Sequence, residues 1–121
     1  MTSFLKKFFD GFGYAWLGII TGFRERNMRV HGLMAGVVVF LGILFDLAVW
    51  EWIIILILFG MVMGAELFNT SIEELANVVK EKNKLDYEAT AATRNLAAGA
   101  VLVISIAAAI IGLLIFGQRF I

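Results

Sequence analysis

Leu96 to Gly117 reads LAAGAVLVISIAAAIIGLLIFG, 22 residues without a charge. The hydrocarbon core of a bilayer takes about 20 residues of helix, so this run alone is long enough to cross a membrane. Two shorter apolar blocks precede it, GLMAGVVVFLGILF at Gly32–Phe45 and WIIILILFGMVMGA at Trp52–Ala65. Each reaches spanning length only with its flanks. The link between them, DLAVWE at Asp46–Glu51, leaves room only for a tight hairpin, and Trp50 and Trp52 suit the interface where amphipathic rings settle. The second link, KEKNKLDYE at Lys80–Glu88, is polar and solvated. The pattern predicts an all-α integral membrane protein in one domain, with transmembrane helices at about 27–48, 50–80 and 89–117.

Composition agrees. The chain of 121 residues is 61% hydrophobic and 17% charged, against about a quarter charged in soluble domains. Its net charge is zero, so no basic field argues for nucleic acid. Without cysteine it has no disulfide scaffold and no thiolate metal site, and one histidine argues against a histidine-built one. The start, MTSFLKKFFDGF, has two lysines without a long apolar core, so it does not read as a signal peptide. Phe4–Phe23 mixes aromatic rings with Lys6, Lys7, Asp10 and glycines, which predicts an interfacial amphipathic helix rather than a span. Tyr14 and Trp16 read as interface anchors.

Lysine and arginine set the orientation. Nine of the ten, from Lys6 to Arg94, flank one side, and Arg119 alone lies on the other. The positive-inside rule places the N-terminus and the Lys80–Arg94 region in the cytoplasm, with the C-terminus outside.

Against this background AELFNTSIEELANVV (Ala65–Val79) is out of place. At roughly 100° per residue, Asn69, Thr70, Glu73 and Asn77 all fall within about 60° of Glu66. Glu66 and Glu73 lie about 10 Å apart along the axis, with Glu66 the deeper. The bland reading is a solvated helix end joined by interhelical hydrogen bonds from Asn69 and Thr70. It suits Glu74 and Lys80 but not Glu66, which sits between apolar stretches. An ionisable group within a span is by default a functional hypothesis. Two carboxylates at different depths suit phosphoryl transfer from a soluble donor to a lipid hydroxyl: the shallow one holds Mg²⁺ on a nucleotide and the deep one acts as general base. No P-loop and no protein-kinase motif is present, so a nucleotide site here is built differently.

These residues resemble the small prokaryotic diacylglycerol kinase family, in particular its Gram-positive-type undecaprenol kinases. The likeness runs through YAWLGI (Tyr14–Ile19), ERNMRVH (Glu25–His31), AELFNTSIE (Ala65–Glu73) and AAGAVLV (Ala97–Val103). It implies a homotrimer with shared active sites, each protomer carrying a surface helix and three spans. It implies transfer of the ATP γ-phosphate to a lipid alcohol, with undecaprenol the first expectation and diacylglycerol the second. By the same likeness Glu66 is the general base, Glu25 and Glu73 hold Mg²⁺, Asn69 lies near the reacting groups, and Arg94 stands at the family's usual lysine. Asn77 and Asn95 stand where the family has aspartates of the nucleotide site. A non-catalytic homologue with an altered nucleotide site is therefore the alternative. His31 reads as a helix-end residue rather than a ligand.

Overall fold

The computed structural model describes residues 2–121. The chain folds into four α-helices: α1 (Thr2–Gly22), α2 (Arg26–Leu44), α3 (Val49–Lys82) and α4 (Glu88–Gly117). One 3-10 turn, Gln118–Phe120, ends it. The absence of proline lets α3 run unbroken for 34 residues, about 51 Å at 1.5 Å per residue. Helices α2, α3 and α4 are each long and apolar enough to cross a membrane.

Both turns between the long helices close in the same way. Asp46 and Lys84 each take a left-handed backbone (φ 53°). The next amide then reaches back five residues: Leu47 N–H donates to Gly42 O at 3.0 Å, and Leu85 N–H to Lys80 O at 2.9 Å. Orphan carbonyls at each helix end are thus satisfied within the chain. The first turn also drives Leu47 inward, where it packs with Ile55 and Ile115. Gly42 makes that packing possible, because a Cβ there would lie 2.5 Å from Trp52 Cη2 and 3.0 Å from Leu47 Cδ1. At the other end of the fold, α1 meets α3 where Leu67 occupies the space that a Cβ on Gly22 would need.

A polar clasp ties the Trp50 end together. Glu51, 2% exposed, accepts four hydrogen bonds. Its own turn supplies one, Ala48 N–H at 2.7 Å. The chain terminus supplies three: Gln118 Nε2 at 3.0 Å, Arg119 Nη1 at 2.8 Å and Arg119 Nη2 at 2.6 Å. Arg119 also donates to Ile115 O at 2.8 Å, and the Phe45 ring meets the edge of Phe120 at 5.5 Å. The ends of α2 and α4 are thereby fastened to the start of α3.

The interior is thin. Beyond Leu47, Ile55 and Ile115, the buried apolar side chains are few, and large ones such as Phe40, Leu56, Phe68, Leu96 and Leu113 stand exposed. Contiguous apolar surface of this kind marks contact with lipid or with another chain. On α1 the Phe4 ring stacks on Phe8 with centroids 6.4 Å apart, and Phe8 meets Phe12 edge to face at 5.2 Å.

Glu51→Gln replaces a charge-assisted fork with weaker bonds and leaves Arg119 without its counter-ion. The expected result is a thermal unfolding midpoint several degrees lower in detergent. An unchanged midpoint would show that the clasp does not hold the helix ends.

Candidate active site

The polar stripe of α3 lies in its second half. Glu66 is about 26 Å along the axis from Val49 and Glu73 about 36 Å, at 1.5 Å per residue. The two distances fall on either side of about 30 Å, the thickness of a hydrocarbon core. Their surroundings differ accordingly. Glu66 is 3% exposed, whereas Glu73 is half-buried and makes no hydrogen bond or ion pair among the described residues.

Among the described residues Glu66 makes one ion-pair contact and no hydrogen bond. His31, one and a half turns into α2, places Nε2 at 3.6 Å from Glu66 Oε2. The imidazole is partly exposed and also forms the head of an apolar groove of about 270 Å³. Met34 and Val38 of α2, Phe59 and Val62 of α3 and Gly112 of α4 line the rest of it. Asn69, one turn beyond Glu66, is 5% exposed, and its Oδ1 has no hydrogen-bond partner.

A second constellation joins α3 to the start of α4. Arg94, 8% exposed, donates from Nη2 to Asn77 Oδ1 at 2.8 Å and from Nε to Thr90 Oγ1 at 2.9 Å. Its guanidinium carbon lies 4.8 Å from the centroid of the Tyr87 ring, within cation–π range. Thr90 in turn donates to Tyr87 O at 3.2 Å. Arg94 is thus fixed from three sides, while no hydrogen bond from its Nη1 is found among the described residues.

The remaining predicted residues stand apart. Glu25 occupies the N-cap of α2 with extended backbone, but its side chain caps nothing and is exposed. Among the described residues the neighbouring arginines do not pair with it. Arg29 instead binds the turn after α1, donating to Phe23 O at 2.9 Å and Arg24 O at 3.0 Å. Asn95 is exposed beside a shallow groove with Leu96, Gly99 and Val103. Among the described residues no group of three or more His, Cys, Asp or Glu could hold a metal ion. Among the described residues the separate hard oxygen donors are Glu25 and Glu73, which make no ion pair, and the orphaned amide oxygen of Asn69. Carboxylates are the hard oxygen donors that Mg²⁺ on a nucleotide takes, one or two of them beside the phosphates.

The sequence left two neighbours unseen. The link between His31 and Glu66 had a usable signal: both are ionisable groups one to two turns inside apolar segments, and such groups pair with one another. The support of Arg94 by Thr90 is a helical i, i+4 pair.

The chain matches the prokaryotic diacylglycerol kinase family over residues 13–116. It belongs to that family, and so to the membrane lipid kinases. Among individual proteins, it is 39% identical over 113 residues to the undecaprenol kinase of Bacillus subtilis (strain 168), covering 93% of this chain and 89% of that protein. It is 31% identical over 102 residues to a diacylglycerol kinase of Synechocystis, covering 84% of this chain and 57% of that one. No solved structure matches the chain.

Asn77→Ala removes the cross-helix acceptor of a guanidinium. The expected cost is about 1 kcal/mol of folding stability, read from denaturant unfolding in micelles. No change would mean that Arg94 is held by Thr90 and Tyr87 alone.

Proposed function

We propose that this kinase phosphorylates undecaprenol at the inner face of a bacterial cell membrane, with ATP as the donor. One observation carries the reading: a buried carboxylate, Glu66, beside the head of an apolar groove, on a helix whose next carboxylate, Glu73, is less buried. A lipid alcohol lying along the groove brings its hydroxyl to Glu66. Glu66 takes the hydroxyl proton as general base. The lipid oxygen bonds to the γ-phosphorus, the bond from that phosphorus to the β–γ bridging oxygen breaks, and ADP departs.

Glu25 and Glu73 are the residues proposed to hold Mg²⁺, which would neutralise charge on the transferring phosphoryl group. Asn69 is assigned to the same edge of the site because its acceptor is unused. Arg94 offers its free Nη1 to the nucleotide phosphates. Asn77 serves this site as the holder of Arg94, and Asn95 faces outward where a neighbouring chain or the nucleotide reaches it.

The N-terminus and the Lys80–Arg94 side face the cytoplasm in this reading. Helix α1 lies on the membrane surface, with Phe4, Phe8, Phe12 and Trp16 on one side and Lys6, Lys7 and Asp10 on the other. The chain assembles as a homotrimer whose sites are shared. The exposed apolar helix faces and the incomplete donor set support that arrangement.

Diacylglycerol is the second acceptor, since a relative is a diacylglycerol kinase. Purified protein in micelles with ATP and Mg²⁺ is expected to phosphorylate undecaprenol faster than diacylglycerol. A faster rate on diacylglycerol would reverse the order of acceptors, and no transfer to either would overturn the proposal.

A further inference from the structure

Glu66 presents an accounting problem. A carboxylate this buried costs free energy unless it is paired or hydrogen-bonded, yet no hydrogen bond to it is found among the described residues. Arg29, the basic residue of α2 nearest in sequence to His31, is committed to backbone carbonyls of the α1–α2 turn. Arg94 is committed to Asn77 and Thr90. The groove beside the pair contains no other titratable side chain. Among the described residues His31 is the one ionisable group in contact with Glu66, at 3.6 Å.

We propose that His31 is a positioning residue for phosphoryl transfer. It fixes the rotation of the Glu66 carboxylate, so that one oxygen faces the imidazole and the other faces the incoming hydroxyl. The geometry explains each part. The short gap between Nε2 and Oε2 closes to a hydrogen bond with a movement under 1 Å. With the proton on Nε2 the imidazole donates to Oε2, and Oε1 keeps its lone pairs for the lipid hydroxyl. Because the ring also forms the groove head, the same side chain that orients the base touches the alcohol end of the lipid. A leucine or phenylalanine would close the groove equally well but could not orient a carboxylate. The inference rests on Glu66 being the base of a lipid kinase.

Two variants test it, and the histidine is the only one in the chain. His31→Gln and His31→Ala are expected to lower kcat by about a hundredfold, the scale of a misplaced reacting group, while KM for ATP holds. Added imidazole is expected to restore part of the rate of His31→Ala, which a space-filling role would not allow. Without any activity assay, the single imidazole Nε2 resonance in NMR spectra is expected to move on Glu66→Gln. A working kinase in which both variants keep the wild-type rate overturns this role and leaves the kinase reading intact. So does a lost rate that imidazole leaves unchanged, or an imidazole resonance indifferent to Glu66→Gln. A wild-type chain that phosphorylates no lipid overturns the kinase reading, and this role with it.

Discussion

Helix α3 carries two buried carboxylates, and the contrast between them organises the molecule. Glu51 and Glu66 are separated by about 22 Å at 1.5 Å per residue. Both are almost fully withdrawn from solvent. Glu51 accepts four hydrogen bonds and pairs face to face with a guanidinium. Glu66 has one loose neighbour, an imidazole at 3.6 Å. Burial forces each charge to be answered. At Glu51 the answer is structural and complete, which makes that end inert. At Glu66 it is left unfinished, which is what the proposed exchange of a proton with a substrate requires.

The rest of the fold serves that asymmetry. The clasp of Glu51 with Gln118 and Arg119 gathers the ends of three helices at one boundary. At the other boundary the link from Asn77 through Arg94 to Thr90 ties α3 to α4, and α1 closes against Leu67 of α3. Between these two fastenings the helices separate enough to leave the apolar groove headed by His31. So small a core holds few helices on its own. The wide apolar faces are the surface from which lipid and the proposed neighbouring protomers would take over that task.

Much of this was legible from the residues. The uncharged Leu96–Gly117 run and its two shorter partners announce long helices, and α2, α3 and α4 carry them. Helical periodicity alone places Glu66, Asn69, Glu73 and Asn77 on one stripe. The family follows from motifs that lie along one helix each. What escaped is what depends on depth or on distant ends. Arg119 counted in the sequence only as a stray charge, and its partner Glu51 is 68 positions earlier. His31 looked like a helix-end residue because its neighbour lies on another helix at matching depth. In the sequence Asn77 stood as a departure from the family pattern and Arg94 as the residue at its usual lysine, with nothing to join them. In the structure they are one contact, in which the amide oxygen accepts from the guanidinium.

The central claim is that Glu66 takes the proton of the lipid hydroxyl. The direct measurement is the turnover of Glu66→Gln with undecaprenol and ATP–Mg²⁺ in micelles, with folding confirmed by the unfolding midpoint. Glutamine keeps the size and can still meet His31, but it cannot accept the proton. The account predicts a fall in kcat of about 10²–10⁴-fold, the usual worth of a general base, with KM for ATP little changed. Undiminished turnover by that variant would contradict it.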